Sequence, residues 1–138
     1  MTETNRRKTK MHIALAALLV ILLSFCGCDN KYSSHYTAIV LITNSSSHSA
    51  YMKFGTFTGT NVFKLRVQEG DQIEYSGNIK DGSLTVYYDY EGNKEELFTL
   101  EGEQEIEDVT KELPKGTTYI IVETDGKVEE GELHFDVK

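Results

Sequence analysis

From residue 51 to the C-terminus, apolar and polar positions alternate, and turn residues break the alternation about every ten residues. In NVFKLRVQEGD, Phe63, Leu65 and Val67 fall on one face while Lys64, Arg66 and Gln68 fall on the other, a half-buried strand closed by Gly70. Ile73 and Tyr75 continue the pattern, and Asp81-Gly82 predicts a tight hairpin. SLTVYYDY sets Leu84, Val86, Tyr88 and Tyr90 together before EGN turns the chain. TTYIIVET is β-branched and aromatic, Asp125-Gly126 predicts another hairpin, and GELHFDV alternates Leu133, Phe135 and Val137. These short strands predict an all-β fold, an antiparallel β-sandwich of jelly-roll-like form.

One segment carries two patterns. In GEQEIEDVTKELPKG, Ile106, Val109 and Leu113 have helical spacing, and Pro114 and Gly116 would end a helix. As a strand it would line Glu101, Glu103, Glu105 and Glu107 along one face, a costly row of like charges. Because both neighbours are strands, a bulged extended segment is expected, with a short helix as the alternative.

The amino terminus follows a different logic. Arg6, Arg7, Lys8 and Lys10 precede the apolar run MHIALAALLVILLSF, and small and polar residues follow it, as in a secretory signal. A basic flank stays on the cytoplasmic side, so the rest of the chain is expected outside it. Extended to Cys28, the run reaches the lower edge of spanning length, which leaves an uncleaved transmembrane anchor as the alternative. The stretch SFCGC resembles the lipobox of bacterial lipoproteins, although Phe25 stands where that family prefers Leu. The resemblance implies cleavage after Gly27 and a diacylglycerol on the thiol of Cys28. Cys26 does not fit, since Phe25 would occupy the small position, and a Cys26–Cys28 bridge would close a strained ring. The expected organisation is a signal peptide over 1–27, a lipidated N-terminus and tether over 28–48, and a β-sandwich over 49–138. The apolar patch AIVLI inside the Ser-rich spacer predicts that a strand from 36–43 joins the domain.

Charge sharpens this picture. The chain holds 14 basic and 22 acidic residues; residues 1–27 take four of the former and only Glu3 of the latter, leaving 10 against 21. So acidic a surface excludes nucleic acid and anionic head groups as partners and suits a soluble module held off a membrane.

FKLRVQEGDQIEY, LTVYYDYEGN and LPKGTTYIIVETDGKVEEGELHF together resemble the bacterial pre-peptidase C-terminal domain, a small jelly-roll-like sandwich. Gly70-Asp71, Asp89 with Gly92, and Gly116 with Tyr119 hold that family's places, over about residues 54–138. The resemblance implies an accessory module, some relatives of which bind calcium or polysaccharide and are appended to secreted enzymes; an enzyme attached to this one is not expected.

Candidate chemistry is sparse. No Gly-x-Ser-x-Gly elbow occurs, and His35, His48 and His134 share no metal-ligand spacing. Catalysis is not expected. Asp89, Glu91 and Asn93 alternate as in a calcium loop, but with glycine at the fourth place instead of the sixth. Tyr87 points opposite to Tyr88 and is the candidate platform for a sugar ring. The expected function is a lipid-anchored extracytoplasmic binding or accessory module of a bacterial envelope, without a resident cofactor. Its partner would be an envelope protein; the alternative is carbohydrate- or calcium-dependent adhesion. Cys28→Ala should abolish acyl labelling of the chain in cells, and label persisting in that variant would overturn the lipidation reading.

Overall fold

The alternating segments become eight strands: β1 (His35–Ser45), β2 (Ser49–Val67), β3 (Ile73–Asp81), β4 (Ser83–Tyr90), β5 (Asn93–Glu101), β6 (Gln104–Val109), β7 (Gly116–Thr124) and β8 (Val128–Val137). The computed structural model describes residues 31–138, and Tyr32–Lys138 forms one unit; the signal segment and Cys28 lie outside the described residues. No helix occurs among the described residues, and the ambiguous segment is strand β6.

The registers join these strands into longer ones. β3 pairs with β6 from Glu74↔Val109 to Ile79↔Gln104, and β4 pairs with β5 from Ser83↔Glu101 to Tyr90↔Asn93. The two ladders are one long bent hairpin. Its tip is Glu91-Gly92, with φ of 52° and 81°, the left-handed pair that a tight two-residue turn requires. β7 and β8 likewise make one bent strand. β2 lies along it from Ser49↔Asp136 to Val67↔Gly116, and β3–β4 lie along its other side from Ile73↔Val137 to Tyr90↔Thr118. β1 adds to β2 from His35↔Thr60 to Ser45↔Ala50. The sheet is therefore ordered β1, β2, β8–β7, β3–β4, β6–β5, antiparallel throughout, and folded double so that every long strand but β1 crosses from one layer to the other.

The fold line explains two departures from the sequence expectation. Asp81-Gly82 and Asp125-Gly126 do not close hairpins, because β3 pairs with β6 and β8, while β7 pairs with β2 and β4. Both dipeptides are corners where a long strand changes layer. Gly82 has φ 101°, and a Cβ there would come within 2.6 Å of the Lys127 carbonyl oxygen and 2.9 Å of Val128 Cα. Glycine is needed on both counts. The neighbouring corner is tied by Gly102 N–H donating to the Gly82 carbonyl at 2.9 Å.

Between the layers lies the core. Met52, Phe57, Leu65, Ile73, Leu84, Ile120, Leu133 and Phe135 are fully buried. Tyr75 of β3 stacks on Phe98 of β5 across the interior, ring centroids 5.3 Å apart. The free ends of the doubled sheet are laced together: Gln72 and Lys138 exchange backbone bonds, Arg66 N–H donates to Ser47, and Val137 N–H donates to His48.

Gly82→Ala should lower stability by about 2–4 kcal/mol, from the left-handed backbone cost plus overpacking. Gly126→Ala, also at positive φ but with nothing within 4 Å, should cost only ~1–2 kcal/mol. Urea unfolding midpoints at constant slope check the difference.

Candidate functional site

The outer face of the β1–β2–β8–β3–β6 layer is shaped by one irregular row. Val40 (φ 52°), Gly55 and Glu130 (φ 44°) sit side by side on β1, β2 and β8, and the ladder skips all three. On either side of the row, inward residues are three apart instead of two: Ala38 and Leu41, Phe54 and Phe57, Val128 and Gly131. Gly131 has no side chain because the Phe54 ring occupies the space where a Cβ would go. The register is the same on both sides of the row, so no strand gains a residue over its neighbour; the three strands kink together and their side chains are re-aimed in step.

A groove of about 1000 Å³ runs across this row. Val40 and Ile42 of β1 make an apolar wall, and Glu103 and Glu105 of the β5–β6 corner and β6 stand at the other side. Between them Lys53 reaches Glu132 at 3.6 Å, and Lys80 reaches Glu130 at 3.1 Å. Glu132 is held below the usual carboxylate range, chiefly by the hydrogen bond from His134 and then by Lys53. Lys80 is held above its ordinary value by its bond to Glu130. With both lysines engaged, Glu103 and Glu105 leave the groove negative.

β1 itself is the second element. Ile39, Val40 and Ile42 are 64%, 70% and 53% exposed, and Tyr36 is also exposed; of the large exposed hydrophobics among the described residues only Val109 lies elsewhere. Among the described residues β1 pairs with β2 alone, so its other edge presents unpaired backbone groups. Sequence reasoning found this strand but not its exposure, because AIVLI reads as core.

The residues singled out from sequence fall on the other layer and do not converge. Asp89 is 2% exposed and accepts a hydrogen bond from the Tyr32 hydroxyl, whose ring meets Tyr119 edge-on at 5.3 Å. Glu91 and Asn93 are exposed in the β4–β5 turn. No group of three or more His, Cys, Asp or Glu that could hold a metal ion occurs among the described residues. Tyr87 does face outward, but Lys94 Nζ sits 4.3 Å from its ring centroid. His134 points outward, and Ser47 Oγ bonds His48 Nδ1 at 2.8 Å within one exposed turn. Cys28 lies outside the described residues.

A polar cluster that no sequence signal revealed closes one end of the sandwich. Tyr88 and Tyr90 both donate to Glu95, at 3.0 and 2.8 Å, and Lys111 reaches both Glu95 oxygens at 3.3 Å. The bonds from Tyr90 and Tyr88 hold Glu95 below the usual carboxylate range, and burial pushes Tyr88 up to about 12. The chemistry is that of a structural plug.

No protein-family model matches the chain, and no curated protein matches it. Solved structures overlap it in part. The periplasmic inhibitor of g-type lysozyme PliG from Aeromonas hydrophila is 18% identical over 67% of this chain and 88% of its own, with a TM-score of 0.48. The module TmCBM61, solved with β-1,4-galactotriose, is 13% identical over 80% of each chain, TM-score 0.36. Murine APRIL is 16% identical over 76% of this chain and 96% of its own, TM-score 0.39. At such identity and overlap none of them carries family or function to this chain. The resemblance to the pre-peptidase C-terminal domain rests on its motifs alone.

Because Glu95 titrates lower folded than unfolded, its contribution is present above the ordinary glutamate range and is lost as pH falls through its lowered value. Tyr88 works oppositely, its contribution present below about pH 10 and lost towards pH 12. The urea midpoint should rise as pH climbs through the acid range towards the ordinary glutamate value, more shallowly in Glu95→Gln, and fall at alkaline pH.

Proposed function

We propose that this chain is an extracytoplasmic lipoprotein, held to a bacterial membrane by diacylglycerol on Cys28, that acts by binding and not by turnover. The groove across the irregular row is its binding surface, and the occupant is a basic segment of an envelope protein. The observation that carries this reading is charge: Glu103 and Glu105 border the groove and form no ion pair among the described residues, Lys53 and Lys80 bonding Glu132 and Glu130 instead, and they stand opposite the apolar wall of Val40 and Ile42. An arginine or lysine of a partner would pair with the glutamates while apolar neighbours cover the wall. The lipobox resemblance and the basic-then-apolar leader support the location.

The test is photo-crosslinking in cells from Asn78, which lines the groove, in the anchored chain. One dominant protein adduct is expected, lost in Glu103→Lys/Glu105→Lys. Absence of any protein adduct, with the chain folded and in the membrane, would overturn the reading. The alternative of calcium- or glycan-dependent adhesion through Asp89, Glu91, Asn93 and Tyr87 would then be measured as a rise in melting temperature with calcium or an oligosaccharide.

A further inference from the structure

The two edges of the sheet are treated in opposite ways. The β6–β5 edge carries Glu95, Glu96, Glu101, Glu103, Glu105, Glu107 and Asp108 against a single Lys94. Charge of one sign along an edge strand is a standard defence against pairing with another chain. The β1 edge, HYTAIVLITNS, holds no Asp, Glu, Lys, Arg or Pro over 11 residues. It is long, apolar and unguarded.

We infer that β1 is a self-association strand, pairing antiparallel with β1 of a second copy across a two-fold axis. The pairing uses the free backbone edge of β1, whereas the groove lies between β1 and β6, with Val40 and Ile42 bordering both. Three observations select a second copy as occupant. The strand is uncharged, so it meets itself without the repulsion that a net charge of 10 basic against 21 acidic residues imposes elsewhere on the mature chain. β6 is the strand of this layer farthest from β1, so pairing through β1 sets the acidic edges at opposite ends of the joint sheet. The irregular residue Val40 (φ 52°) divides β1 into His35–Ile39 and Leu41–Ser45, halves of equal length, with Ala38 inward in the first and Leu41 inward in the second. An axis between Ile39 and Val40 therefore lays the first half of each copy against the second half of the other with like faces together, Ala38 beside Leu41 and exposed Ile42 beside Thr37. Such an interface is isologous and closes at two copies. One strand pair is small for a stable complex, so association is favoured where copies are concentrated on a common surface.

The test uses the full chain in membranes, with single cysteines introduced at Thr37, Ile39, Val40 and Ile42, and at Glu105 on the guarded edge as a control. The parent chain controls for Cys26 and Cys28. Mild oxidation should give a disulfide dimer that peaks at Ile39→Cys and Val40→Cys, the positions flanking the axis; a peak at another β1 position keeps the pairing and moves the axis. Adding Ile39→Lys and Ile42→Lys, both exposed in the monomer, should cut the yield about tenfold, since like charges are then crowded together beside the axis. The urea midpoint of that variant should be unchanged. No dimer above the Glu105→Cys control, a band to a different protein, or a yield indifferent to the lysines would each overturn the inference. The Asn78 adduct of the groove is measured in the same membranes, so the two readings fail separately.

Discussion

Five residues, Gln68–Gln72, dictate the architecture. They link the end of β2, beside Gly116, to the start of β3, beside Val137, which are opposite ends of the β7–β8 strand. Laid straight, that strand would be about 70 Å long. The connection can reach only about 20 Å at full stretch. A flat sheet is therefore impossible, and the sheet must fold until its ends touch. The bonds of Gln72 with Lys138, and of Gly70 N–H to Leu113, are where they do.

Everything else accommodates that bend. Glycine at 82 lets β3 run into β4 against the backbone of Lys127 and Val128. The row of Val40, Gly55 and Glu130 shifts the inward face by one residue on three adjacent strands at once, so the core stays apolar while the strands turn. The groove and the exposed β1 follow from the same geometry, since the displaced side chains include Val40, and β1 belongs to one layer only.

The strands themselves were plain in the sequence. Phe63, Leu65 and Val67, or Leu84, Val86, Tyr88 and Tyr90, alternate because one face meets the core, and the structure buries those residues. The extended reading of the segment around Ile106 also holds: its acids are tolerated because β6 is an edge strand and they face water. Connectivity was less legible. Asp81-Gly82 and Asp125-Gly126 carry hairpin chemistry, yet a left-handed glycine serves a corner as well as a turn, and local sequence does not say which strand lies alongside. The shift from Phe54 to Phe57 looks like a break in alternation unless the same shift is seen in Ala38–Leu41 and Val128–Gly131. The site residues were the least legible. A carboxylate at Asp89 reads as a surface turn, but Tyr32, distant in sequence, comes to cover it.

The doubling of the sheet also governs how the molecule comes apart. Since four of its five long strands are shared by both layers, neither layer has a boundary along which it can open alone, and loss of one entails loss of the other. β1 is exempt. It is bound along one edge to β2 and sets Ala38, Leu41 and the Tyr36 ring against the interior, so its release uncovers Phe57 but leaves the pairings of β2 with β7 and β8 in place. Local opening therefore has a single natural place to begin, at the first strand of the fold.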